Sequence, residues 1–439
     1  LNSIEPRLIE RIFPFLILWL TKSILFKSKQ FFIMKRNITN ITYYEIIKYA
    51  TITKLFLVTF CMLVYYSSYA WQAPEKDTSV ADSIIKIPME APYWQNDSAR
   101  ITFEQHDTKN TLHLLPNAGL AIAKDINFSD GTITFDWKPI DTMFASFYFR
   151  YQSKMESECV YLRTMREGQM LAYDAIQYSP IIKGVNIWDL LGYYQGPADF
   201  KKRSWNQVKL VITGKQMQVF VNDMVKPILQ IPYLEGNATL GTLAFEGEAY
   251  IANLIIKPNA VEGLTPQAGI DPTANDPRYL RKWWVNEPVS FPFGREPVGD
   301  DIPKEKKDWK DIEAERRGLI NLTRPYGIEK ERRLVWIKTG IRSATDQSKR
   351  LDFGFSDEVW VIMNGSHLYT DKNYYGQSIM KEPKGRCSIE NTFFNLPLKK
   401  GDNELLIGVA NNFYGWGIVA RLQDLVDIEA INYIADIKN

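Results

Sequence analysis

The chain has 439 residues, 45% hydrophobic and 24% charged, which are globular values and exclude a disordered or collagen-like chain. It is too long for one ordinary domain, so two domains plus a leader are expected. A net charge of +2, from 53 basic and 51 acidic residues, lacks the basic excess of a nucleic-acid binder.

The first seventy residues differ from the rest. Residues 1–33 open on Leu1 and hold an apolar stretch from Ile12 to Leu20; with translation starting at Met34 they lie upstream of the protein. Lys54 is then followed by LFLVTFCMLVYYSSYA, a short apolar run ending in small residues. That is the pattern of a secretory signal peptide cleaved between Ala70 and Trp71, and it is too short for a stable membrane span. Cys61 lacks the small residues that precede a lipoprotein cysteine, so no lipid anchor is expected. Without residues 1–70 the chain keeps 44 basic and 48 acidic residues, and its net charge becomes −4. The expected product is secreted, periplasmic or on the cell surface. Residues 71–90 are polar and read as a tether.

Strand patterns begin near Arg100 with ARITFEQHD, TLHLL and GLAIAKD. Asp130-Gly131 turns the chain into GTITFDWKP, where Ile133, Phe135 and Trp137 alternate with polar residues as in a strand with one buried face. Phe144 to Phe149 is almost continuously apolar, as in a strand covered on both sides, and it ends in Arg150. The polar run Gln152 to Glu158 separates it from a strand over Cys159 to Met165. A symmetric hairpin there would set Arg150 opposite Arg163, with Tyr148 and Tyr161 beside them. Such a pair demands something negative between them. A long loop, SPIIKGVNIWDLLGYYQGPADF, and the strands WNQVKLVITG, QMQVFVND, GTLAFEG and EAYIANLIIKP follow. Many short strands without an amphipathic helix make the fold all-β, with a sandwich over 91–258.

Together GTITFDWKP, FASFYFRYQ, VYLR, DAIQYSP, WNQVKLVITGKQMQVFVND and GTLAFEGEAYIANLIIKP resemble a concanavalin A-like lectin/glucanase domain. The nearest kinds are the laminin-G-like and 3-keto-disaccharide hydrolase-like modules of secreted bacterial glycan proteins. The resemblance implies a jelly roll whose concave face and rim loops meet ligand.

Residues 259–300 are rich in Pro, Gly and Asn and read as a linker, although WWVNEPVSFPFG inside it suggests packing on a domain. The charged Lys304 to Arg317 segment reads as a short surface helix. Residues 301–439 return to strands, with RLVWIKTGI, LDFGFSDEVWVIMNG and LPLKKGDNELLIGVANNFYGWGIVARL, and Asn364-Gly365 is a hairpin signal. These resemble the galactose-binding-like jelly rolls that accompany glycoside hydrolases, which implies a second β-sandwich in tandem. Such motifs carry the fold rather than a ligand.

The residues hold no ExDxxE run of the kind that serves a sandwich glucanase, whose two carboxyl groups stand about 5 Å apart. Glu246 and Glu248 flank Gly247, which reads as a turn. No CxxC or HExxH occurs, and His106, His113 and His367 have no zinc-like spacing, so no transition-metal cofactor is expected; a structural calcium ion stays open. Cys159 and Cys387 fall in different domains and are expected to be two buried thiols. The best constellation for ligand is Arg150, Arg163, Asp174, Gln177 and Tyr178, with Trp188, Tyr193 and Tyr194 from the long loop. Arginines suit carboxylates and aromatic rings stack on pyranoses. The competing reading is a salt-bridge cluster that pins the loop. Three functions remain: a secreted carbohydrate-binding protein, with an acidic glycan as the suggested partner; a glycan-active hydrolase or lyase; and a structural or adhesion module that binds no sugar.

Overall fold

The computed structural model describes residues 84–303 and 309–433. The leader and most of the expected tether lie outside these residues. The described chain is all-β: four antiparallel sheets form two β-sandwiches in tandem.

In the first sandwich, Gly131–Pro139 sits mid-sheet between Asn206–Thr213 and Ala249–Pro258. Its alternation is realised as expected, with Ile133, Phe135 and Trp137 buried. The opposing sheet centres on Phe144–Ser153, flanked by Glu156–Arg163 and Thr242–Glu246. Ala145, Phe147 and Phe149 point inward from it to meet Phe135 and Phe245, with the Phe135 and Phe147 ring centres 4.8 Å apart. Period two then sends Ser146 and Tyr148 to the outer face, joined there by Cys159, Tyr161 and Arg163 of the next strand. Gly247, at φ 95°, makes the tight link between Thr242–Glu246 and Ala249–Pro258, so the turn reading of that site holds.

In the second sandwich, Arg333–Ser343 and Gly401–Ala410 pair along nearly their whole length inside an eight-stranded sheet. A four-stranded sheet of Leu319–Asn321, Gly417–Leu422, Gln347–Ser356 and Thr392–Leu398 faces it. Val335, Ile337, Val359, Ile407, Phe353 and Ile418 fill the space between. Asn364 and Gly365 both take positive φ, 51° and 77°, and close Glu358–Met363 onto Ser366–Lys372 as the sequence predicts.

Three segments depart from the sequence reading. Ile85–Lys86, at the end of the expected tether, pairs with Ile255 and Ile256 as an extra strand. Lys282–Val285, in the linker segment, belongs to the eight-stranded sheet and buries Trp283. The expected surface helix is replaced, where described, by the strand Lys310–Glu313 on Lys282–Val285, because Ile312 packs against the core beneath. A charged run hides such an edge strand, whose other side chains all face water.

Candidate functional site

The two sandwiches meet at a polar seam over the outer face of the Phe144–Ser153 sheet. The long loop supplies the first layer. Trp188 packs on Cys159 and Tyr161, and its backbone oxygen accepts a 2.8 Å hydrogen bond from Gln177 Nε2. The second sandwich supplies the outer layer, since Tyr375 and Tyr414 meet the Trp188 ring edge-on at 4.9 and 5.9 Å. Phe413 stacks on Tyr375 at 6.0 Å, and Phe144 contacts Tyr161 from the other side at 5.7 Å. A belt of rings therefore runs from one sandwich to the other. Phe144, Tyr173, Tyr375, Phe413 and Tyr414 keep between 39% and 47% of their surface exposed, whereas Trp188 is buried as the post beneath them.

Polar groups lie among these rings. The Tyr148 hydroxyl donates to Glu246 Oε2 at 2.6 Å. Burial, then Cys159 and Glu246, push the Tyr148 phenol well above its ordinary range, so it stays a proton donor and is no base. Gln177 Oε1 accepts from Tyr161 at 2.9 Å and from Arg163 Nη2 at 2.6 Å. Arg163 Nη1 donates to the backbone oxygen of Asp174 at 2.6 Å. The Asp174 carboxylate itself is held by Arg166, with Nε–Oδ1 at 2.9 Å and Nη2–Oδ2 at 3.0 Å, and Lys384 stands 3.8 Å away. Burial would raise its pKa, but Arg166, Arg163 and Lys384 together hold it below the usual range.

From the second sandwich Arg386 enters beneath Trp188, its guanidinium 5.1 Å from the ring centre. It donates to Gln195 Oε1 at 3.0 Å and to the Lys384 oxygen at 3.2 Å, while its buried Nε finds no partner. Its stem lies on Gly192, where a Cβ would come within 2.6 Å of the Arg386 Cδ. Burial first, and the charge of Arg163 second, hold this guanidinium below the ordinary arginine range. Deeper in the seam Ser356 Oγ lies 3.2 Å from Asp189 Oδ2 and 3.0 Å from Asp357 Oδ1.

Of the residues expected at a site, Arg163, Asp174, Gln177 and Trp188 come together here. Arg150 does not. The hairpin turns at Lys154 and Met155, between Ser153 and Glu156, so Phe144 rather than Arg150 faces Arg163. Ser157 and Glu158, read as loop because they are polar, continue the strand and are buried. Arg150 sits at φ 48° in an irregular step of its strand and binds the Ser129 oxygen, the Gly214 oxygen and Asp130. Tyr178 is a core residue whose hydroxyl donates to Glu158 at 2.7 Å. Tyr194 is buried and donates to Glu235 at 3.0 Å, and Tyr193 lies under the Arg317 guanidinium at 4.3 Å. Arg166, Tyr173, Lys384, Arg386 and Phe413 carry no sequence signal of a site. Asn373, Tyr374, Tyr375, Tyr414 and Trp416 read in the sequence as aromatic residues near turns, where packing is the favoured role, and nothing in one sequence places them against the first sandwich.

The two cysteines among the described residues are free thiols, Cys159 buried and Cys387 half-buried. Among the described residues no group of three His, Cys, Asp or Glu side chains is placed to hold a metal ion, and no helix is long and apolar enough to cross a membrane. A separate open cavity of about 360 Å³ is lined by Glu287, Tyr326, Glu331 and Arg333. Two of its polar groups are paired, Arg333 Nη1 donating to Glu329 at 2.8 Å and Ser290 Oγ to Glu331 at 3.1 Å, while Arg333 Nε is buried without a hydrogen bond.

Fold and site define a tandem β-sandwich protein with a belt of part-exposed aromatic rings across the junction. No family model matches the chain, and no curated protein matches it. Among solved structures, a carbohydrate-binding module of Bacillus subtilis is 10% identical over 37% of this chain and 93% of its own, with a TM-score of 0.27. A Bacillus subtilis protein of unknown function with a galectin-like fold is 13% identical over 39% and 94%, with a TM-score of 0.30. A Bacillus licheniformis β-glucanase is 11% identical over 40% and 98%, with a TM-score of 0.27. These likenesses are weak, and the sandwich architecture stands on the strand pairing rather than on them.

Proposed function

We propose that the protein binds carbohydrate in a cleft along this belt of rings between its sandwiches, as an exported glycan-binding protein of the concanavalin A-like and galactose-binding-like kinds that its sequence resembles. One observation carries the reading. Partly exposed rings from both sandwiches surround hydrogen-bonding side chains that are already fixed by partners, which is how a site holds a ring's apolar face and its hydroxyls together. Binding is favoured over catalysis because Glu246 is the carboxylate at the floor and its partner, Tyr148, is a phenol that keeps its proton. Export rests on the Lys54–Ala70 segment alone.

A glycan array probed with the full chain, followed by product analysis of every hit, tests the reading. Tyr375→Ala and Phe413→Ala are expected to weaken any hit by roughly fivefold to tenfold each, since stacking contributes about 1 kcal/mol. Turnover of a bound glycan would move the protein to the hydrolase or lyase class. Binding untouched by both substitutions would remove the cleft as the site.

A further inference from the structure

The geometry points to an anion subsite at the mouth of this cleft, where Lys384 and Arg166 take the carboxylate of an acidic sugar and Tyr173 takes its ring. The inference rests on the carbohydrate reading and names the chemical class of the ligand. Four cations gather here, Arg163 and Arg166 from the first sandwich and Lys384 and Arg386 from the second. One carboxylate, Asp174, answers them: Arg166 donates to its Oδ2 at 3.0 Å and stands 2.9 Å from its Oδ1 without a hydrogen bond there. Among the described residues no carboxylate pairs with Arg163 or Arg386; their partners are backbone oxygens, two side-chain amides and a phenol. Two buried guanidinium groups that repel each other and share the Asp174 charge without an ion-pair contact to it leave a positive field, and Arg386 Nε is buried without a hydrogen bond. The field opens to solvent at Lys384 and Arg166, whose side chains are 38% and 25% exposed. Tyr173 stands at the same opening, 42% exposed, with the Lys384 ammonium 4.8 Å from its ring centre. A charge beside an aromatic platform fits a uronic acid, whose carboxylate projects from the ring edge.

Titration calorimetry of the full chain tests this with oligogalacturonate and oligomannuronate, with neutral galacto- and manno-oligosaccharides of equal length, and with a sulfated galactan oligomer. A uronate oligomer is expected to bind, more weakly at higher salt, and its neutral counterpart to bind at least about tenfold more weakly. Lys384→Ala should cost the uronate about tenfold and leave the melting temperature unchanged, because among the described residues this side chain's only ion pair is the long one to Asp174. Tyr173→Ala should weaken binding independently of salt, and it stands in if Lys384→Ala proves unstable. Equal binding of neutral and uronate oligomers, indifferent to both substitutions, overturns the anion subsite and leaves the carbohydrate reading standing. Preference for the sulfated oligomer overturns the assignment to a carboxylate. Binding of none of them by a folded protein overturns both.

Discussion

A guanidinium buried beside another has given up water and gained a repulsion, so small changes around Arg386 should be felt strongly. Gly192 is the most discriminating neighbour. It needs no special backbone conformation, yet a methyl group there would meet the Arg386 stem at 2.6 Å and press against its Cβ and Cγ at 3.4 Å. Gly192→Ala is therefore expected to shift the arginine without altering the protein's charge. Affinity for an acidic sugar should fall several-fold while neutral-sugar binding by the belt persists, both read by calorimetry. An unchanged uronate affinity would mean that the position of Arg386 is immaterial to the ligand. Tyr148 illustrates the opposite case. Its bond to Glu246 is complete within the protein, so it shapes the floor without needing a ligand.

Between elements, the seam is joined by buried carboxyl groups as well as by rings. Asp189, from the long loop, is pushed well up by burial and then by Asp357; Asp357 is pushed up to about 7 by burial, against the pull of the Asn412 and Phe413 amides. An aspartic acid in an unfolded chain titrates near 4. Between those values the folded protein keeps a proton that the unfolded chain has lost, so stability falls as pH rises from about 4 to about 7. Cys387, Glu358, Tyr161, Tyr374 and Tyr414 also lie within the field of the pair, and Glu158 and Glu235, also raised to about 7, add a decline of the same sign elsewhere. Asp357→Asn can keep its oxygen on the two amides and turn its nitrogen to Ser356. It should raise the melting temperature at pH 8 by a few degrees and flatten its dependence on pH. A wild-type melting temperature that rises across this window would contradict the account. The strands themselves were legible in the sequence, because Ile133, Phe135 and Trp137 or the Asn364-Gly365 turn act through local backbone geometry. The arginine pairing was not. Hairpin register here depends on two polar residues, Ser157 and Glu158, being buried by partners distant in sequence, and a shift of the turn removed Arg150 from the face. The aromatic residues of the second sandwich stand together around Tyr374 and Tyr414 in the sequence, but their arrival over Trp188 is a tertiary fact.

For the molecule as a whole, two apolar cores are joined by a contact that mixes rings and hydrogen bonds, with Leu319 of the second sandwich packed into the first core. Arg324 reaches Asn237 at 2.6 Å and the Glu235 oxygen at 3.0 Å, Cys387 donates its amide to the Asp189 oxygen at 2.9 Å, and Arg386 reaches Gln195. The strand Ile85–Lys86 is zipped to the first sandwich and Ile428–Tyr433 to the second. Tension applied across these flanks passes through the seam in series with both sheets. Strand pairs resist shear through many bonds at once, whereas a seam can be peeled a few bonds at a time. Pulling single molecules by the two flanks should show a first, low-force extension before either sandwich unravels, and a single high-force rupture would exclude it. Since the proposed sugar site draws its cations from both sides, that first extension would also halve its charge: the grip on an acidic polymer would slacken under load before the fold was harmed.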